Sequence, residues 1–390
     1  PGRVLGTERS INMARSILAV LLSLIFVVTA SAERLTVAQF RQTLAGYVAA
    51  RKSDQAIAKK CDAIELTEQL TPSTRNAITN DLNLGPRTSL ALQMLADISS
   101  FLDPPASELP VKDPPAARAL DQMWQQAMSF AAVTMHHMPD LMATRVTRAF
   151  DDRPMLQSAS GWTPAESPLR LEGITSQHIT YRNGEEVAIA EDKQPARGGE
   201  EQAPPTNLTT TGEFGPILSL MLTDSLNGKV TWSHWEEVSG RLSAVYNFSV
   251  SEQASHYAVN FCWQLVTLEA SYRFKGKANT LTTDCYHGRP GYHGSIAIDP
   301  ESGAVMRITV EPDLPQSIAL KRAAMSIQYG TEEIGGKNYI CPHSGVALSL
   351  VHYSPNAVEA GRDVIRINET AFTGFRRFGS TVRIIQDAAH

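Results

Sequence analysis

From Leu141 onward, short apolar runs alternate with tight-turn signals, and that punctuation restricts the second half of the chain to antiparallel sheet. Asn183-Gly184 lies between Ile179-Thr180-Tyr181 and Val187-Ala188-Ile189. Asn-Gly accepts the positive φ angles that a two-residue hairpin demands. Asn227-Gly228 precedes a run from Lys229 to Trp235. Asp299–Gly303 separates Ser295–Ile298 from Val305–Val310, and Gly335-Gly336 separates Met325–Tyr329 from Tyr339-Ile340. Runs at Val364–Ile367 and Thr381–Ile385 complete the series. Strands joined this tightly pair with their sequence neighbours, which predicts a curved or barrel-like sheet. One apolar helix interrupts them at Glu213–Leu222, after a polar Lys193–Gly212 stretch that reads as a surface loop.

The first half has helical spacing instead. Thr36-Val37-Ala38-Gln39 fits a capping box, and Val37, Phe40, Leu44 and Val48 follow on one face. Ser53-Asp54 is placed to cap a second helix carrying Ala56, Ile57, Lys60, Cys61 and Ile64. Thr71-Pro72-Ser73 opens a third, and Gly85-Pro86 closes it before Leu90, Leu92, Leu95 and Ile98 begin a fourth. Short loops between short amphipathic helices favour a small bundle. Prolines from Asp103 to Pro115 then impose an extended connection. A longer helix follows, with Leu120, Met123, Trp124, Ala127, Phe130 and Ala131 along it, ending near Pro139. The predicted fold is α+β: residues 33–115 a helical bundle, 116–140 a connecting helix, and 141–390 a strongly curved antiparallel half-barrel with Phe214–Leu222 as a plugging helix.

Met13–Ala32 has the composition of a secretory signal peptide. Arg15 provides the positive start, Ile17–Val28 the apolar stretch, and Ala30-Ser31-Ala32 the small-residue cleavage site. The apolar run is short for a membrane span. Residues 1–12 read as upstream leader, and the expected mature protein begins at Glu33 in the periplasm or outside the cell. A net charge of −5, without basic patches, argues against nucleic acid and anionic membrane surfaces.

At Leu66–Leu70, Thr210–Gly215, Tyr292–Pro300 and Tyr339–Pro342 the chain resembles a bacterial family of secreted proteins with no assigned function. Its strand-rich half also resembles the half-barrel of periplasmic lipoprotein carriers and of related sigma-factor regulators. In those, a bent sheet wraps helices and leaves an apolar cavity. The resemblance implies fold alone, and fold does not fix function.

Familiar catalytic patterns are missing: there is no G-x-S-x-G, H-E-x-x-H, P-loop or G-x-G-x-x-G. Cys285-Tyr286-His287, His293 and Cys341-Pro342-His343 offer zinc-type ligands, but at a spacing tighter than usual and in an oxidising compartment. Of the four cysteines, Cys262 and Cys285 are the preferred disulfide, closing the excursion between two successive strands; Cys61 reads as a buried thiol on a helix face. His136-His137 points in two directions on one helix and is a poor ligand pair. Phe214, Ile217, Leu218, Met221, Trp232 and Trp235 are the candidate cavity lining. The resulting expectation is an exported, noncatalytic binding protein without a cofactor, holding an apolar or lipid-like ligand. An envelope scaffold that recruits a protein partner is the alternative, and a metal-dependent hydrolase the second alternative.

Overall fold

A computed structural model describes residues 33–134, 138–152, 155–158, 161–164, 169–182, 185–189, 216–266, 281–353 and 362–377. The signal segment, His136-His137, the Asn183-Gly184 turn, the Lys193–Gly212 loop, Phe214 and Thr381–Ile385 lie outside the described residues.

The first described element is β1 (Glu33–Leu35), followed by α1 (Val37–Ala49) and α2 (Asp54–Cys61). At the start of α1, the Thr36 hydroxyl accepts from the Gln39 N–H while the Gln39 side chain accepts from the Thr36 N–H, completing the capping box. The second helix stops at Cys61, short of its expected reach. Ile64 instead belongs to β2 (Ile64–Leu66), which pairs in parallel with β1. Ile64 and Leu66 are buried and Glu65 is exposed, a period of two that outweighs the helical reading over three residues. The N-terminal unit is therefore helical with a small parallel ladder at its base.

Next come α3 (Pro72–Asp81) and α4 (Pro86–Ser99), each with proline in its first turn. Gly85, at the N-cap of α4, has no side chain to offer, and Asp54 from α2 caps the helix in its place. Burial works against the Asp54 charge, yet the Thr88 hydroxyl and N–H and the Arg87 N–H hold it below the usual carboxylate range. Two faces of α4 are buried against different partners. Ala91, Leu92, Leu95 and Ala96 join Phe40, Leu44 and Ile78 inside the helical unit, whereas Met94 joins Phe150, Leu348 and Ile367 on the sheet.

After the proline-rich connection, α5 (Ala117–Thr134) leads into β3 (Leu141–Asp151). A small ribbon, β4 (Met155–Ser158) with β5 (Gly161–Pro164), precedes β6 (Arg170–Arg182) and β7 (Glu185–Ile189). Beyond α6 (Pro216–Ser225) come β8 (Lys229–Val238) and β9 (Arg241–Val250), then a second ribbon of β10 (Val259–Val266) and β11 (Leu281–Gly288). A meander follows through β12 (Tyr292–Ile298), β13 (Val305–Pro312), β14 (Leu320–Ile334), β15 (Lys337–Tyr353) and β16 (Arg362–Arg377). Ten strands form one antiparallel sheet in the order β7-β6-β3-β16-β15-β14-β13-β12-β9-β8. Mixed α+β architecture with a large antiparallel sheet is thus what the chain adopts. Among the described residues the sheet is open, with β7 and β8 as its edges, and it is neither closed nor strongly curled.

Turn chemistry sets the register of the meander. Gly335 and Gly336 both have positive φ, and Ile334 pairs directly with Lys337 across them. Asp299 holds the next hairpin by accepting from the N–H groups of Glu301 and Ser302, while Arg241 pairs with its other oxygen. At Gly303, also at positive φ, a Cβ would lie under 3 Å from the Gln126 backbone, so glycine lets this hairpin tip touch α5.

One face of the sheet is dry. Tyr246, Phe248, Tyr292, Ile308, Met325 and Ile327 pack against Met123, Ala127 and Ala131 of α5 and against Ile217, Leu218, Met221 and Leu222 of α6. The opposite face carries α4 and the rest of the helical unit. No helix among the described residues is long and apolar enough to cross a membrane.

Candidate functional site

Where the helical unit rests on the sheet it leaves a cavity of about 370 Å3, within the range of small-ligand pockets. Its roof comes from the segment leading into α3 and from α4; its floor comes from β3, β14, β15 and β16. Strand alternation aims the floor. Phe150, Arg148 and Val146 point to this face of β3, opposite Ile367, Glu369 and Ala371 of β16. The same row continues through Val346 and Ser326. Both floor and roof are rich in buried polar groups.

Asp97 is at the centre. It sits on α4 at 6% exposure, and its side chain hydrogen-bonds to Glu369 of β16. Two carboxyls can share a hydrogen bond only if a proton lies between them. Burial first, and then the Glu369 carboxyl beside it, push Asp97 well above the usual carboxylate range. Arg148 donates to Glu369 Oε2 at 3.1 Å. Gln93 Nε2 donates to Asp97 Oδ1 at 3.0 Å, and Gln93 accepts in turn from Arg75 of α3. A chain of polar contacts therefore runs Arg75–Gln93–Asp97–Glu369–Arg148 from roof to floor.

Gln69, which lines this cavity, has a buried Oε1 without a hydrogen-bond partner, and Asp97 Oδ2 and Glu369 Oε1 have none but each other. The shared proton satisfies the last two jointly. Gln69, 4% exposed, has no such help at its oxygen. A buried acceptor left without a donor costs about 1–3 kcal/mol, which a ligand donor would return.

A second polar cluster lies further along the same face. Glu236 of β8 takes both terminal nitrogens of Arg307 of β13, and His234 Nε2 lies 3.3 Å from Glu236 Oε2. Burial opposes the Glu236 charge, but His234 and Arg307 together hold it below the usual carboxylate range. Arg307 pairs across strands with Gln328, which lines the cavity.

The candidate lining residues named from sequence fall on the other face. Ile217, Leu218 and Met221 are buried between α6 and the sheet, and Trp232 packs half-buried against the same core. Trp235 is buried there too; its indole N–H donates to the Asp113 carbonyl at 2.9 Å, and Lys112 lies over its ring. It thereby anchors the proline-rich connection. Cys262 and Cys285 face each other across β10 and β11 and form the disulfide. Cys285 therefore has no thiolate to give, and the zinc arrangement weighed from sequence loses a ligand. Its histidines are dispersed: His287 contacts Asn260, His293 contacts Asp313, and His343 sits against Glu332. Burial pushes the Cys61 and Cys341 thiols up to about 12, so neither is a reactive thiolate.

Sequence reasoning missed Gln69, Asp97, Arg148 and Glu369. Two signals were present. Asp97 is the lone charge among the apolar positions of α4, and Glu369 breaks the apolar alternation Ile365, Ile367, Ala371. No family model, no curated protein and no solved structure matches this chain.

Proposed function

We propose that the chain is an exported, noncatalytic binding protein whose ligand seats between the helical unit and the sheet. The observation that carries this reading is the cavity itself, walled by the helical unit and the sheet and lined by buried polar residues. Polar groups held by helices and strands give a fixed recognition surface. Export is supported by the composition of Met13–Ala32 and by the disulfide.

A second reading keeps the lipid-like ligand of a half-barrel carrier. It is favoured by the continuous apolar layer of Ile217, Leu218, Met221 and Trp235 beneath α6. In it, α6 lifts from the sheet to admit an acyl chain.

Native mass spectrometry separates the two. The mature chain is incubated with cell extract beside Ser326→Leu, which fills the cavity floor. A small adduct present on the wild type and lost in the variant supports the cavity reading. A lipid adduct that the variant keeps supports the second reading, and a wild type without any adduct overturns both.

A further inference from the structure

We propose that opening the Cys262–Cys285 disulfide turns the β10–β11 ribbon into a binding site for a thiophilic divalent cation of the zinc type, held by the two thiolates and the His287 imidazole. The site stands apart from the binding reading above, since no ribbon residue lines the cavity.

Register brings the three ligands together. Cys262 faces Cys285 directly across the two strands, and the pair Asn260–His287 stands two residues further along. Side chains two apart on a strand share a face, so both sulfurs and the imidazole lie on one side of the ribbon. One ligand atom from each of the three lies within 4.8 Å of the other two. Tetrahedral zinc, with Zn–S at about 2.3 Å and Zn–N at about 2.0 Å, sets its ligands about 3.5–4 Å apart, a spacing that side-chain rotation reaches once the S–S bond is open. Asn260 Oδ1 lies 2.9 Å from His287 Nδ1 and, as an acceptor, takes its N–H. The ring is thereby held in the way that metal-binding histidines are. Cys285 and His287 are exposed and Cys262 is half-buried, so solvent, reductant and ion have access. Soft sulfur ligands favour zinc over magnesium or calcium, and two thiolates cancel its charge. Three protein ligands leave the fourth position to water.

The disulfide closes the site while it lasts. An external dithiol supplies two electrons and two protons: its own sulfurs join, the Cys262–Cys285 bond breaks, and two thiols form. Metal binding then makes two metal–sulfur bonds and one metal–nitrogen bond and releases the two thiol protons to solvent.

The test is a titration with cobalt(II) chloride after reduction with dithiothreitol and its removal under argon. Thiolate-to-cobalt charge transfer and tetrahedral d–d absorption report the ligands directly. The reduced wild type should take one cobalt per chain, displaced by zinc, and the oxidised protein should show no such absorption. Cys262→Ser should abolish it, and His287→Ala should weaken binding about tenfold or more. Circular dichroism checks the fold of each, and His287→Ala, which keeps both thiols, carries the test should the serine variant not fold. Loss of the fold on reduction, no cobalt absorption in the reduced wild type, equal absorption in the oxidised protein, or a reduced His287→Ala that binds as tightly as wild type would overturn the proposal. Ser326→Leu should bind cobalt as wild type does, so the ribbon and the cavity are tested separately.

Discussion

The two faces of the large sheet differ in chemistry where the helices cover them. Beneath α5 and α6 the strands present Tyr246, Phe248, Tyr292 and Ile308, and stability there comes from removing apolar surface from water. Beneath α4 they present Arg148, Glu369 and Ser326, with Arg307 further along the same face; Arg148 donates to Glu369 and Arg307 to Glu236. Burial without function favours the first kind of face, since buried ion pairs seldom stabilise more than well-packed apolar groups. The second kind makes sense where something polar has to be recognised. A sheet wide enough to serve two layers lets one face carry the apolar packing while the other carries the polar groups on which the proposed binding rests.

The sharpest test of this contrast is rescue. Phe248→Ala on the dry face and Arg307→Met on the polar face should each cost about 3–5 kcal/mol by denaturant unfolding. Only the second loss should be repaired by changing its partner. Glu236→Leu combined with Arg307→Met should return stability to near wild type, because the charge stranded by the single change is gone. Failure of that repair would break the comparison.

A pH series probes the carboxyl pair. Asp97 titrates higher in the folded protein than in the unfolded chain, so its protonated form stabilises the fold below the ordinary carboxylate range. That contribution is lost as pH rises through the raised value, where the folded state binds more protons than the unfolded one. Wild-type stability should therefore fall with rising pH across that window, and Asp97→Asn should flatten the curve. Equal pH dependence in both proteins would show that the pair carries no shared proton.

The smallest effect belongs to the helical unit. Thr36→Ala removes half of the capping box and should cost about 1 kcal/mol, read as a shift of the unfolding midpoint. Cavity binding should be unaffected, since Thr36 is outside the lining.

Local chemistry made much of the architecture legible beforehand. Thr36 with Gln39, Thr71 before Pro72, and Gly335-Gly336 each act over a few residues, and the structure keeps all three. Cys262 and Cys285 could be paired because successive strands bring them opposite each other. Strand length was less visible. β15 runs from Lys337 to Tyr353, whereas only Tyr339-Ile340 stood out, because Pro342, Ser344 and Gly345 interrupt its apolar pattern. Pro342 and Ser344 flank a register shift, and Ser344 is on the polar face. The site itself was hidden for a different reason: Asp97 and Glu369 meet only because α4 packs on β16, a tertiary event that neither segment encodes alone. Candidate residues were sought on the face with aromatic side chains, and that face is filled by α5 and α6.

The pairing of β3 with β16 has a consequence for assembly. The first strand of the sheet has one neighbour within easy reach, β6, while the other is the last strand described. During synthesis the Leu141–Asp151 segment must wait, one side bare, until Arg362–Arg377 has been made. Contacts so distant along the chain slow folding and expose a sticky edge meanwhile.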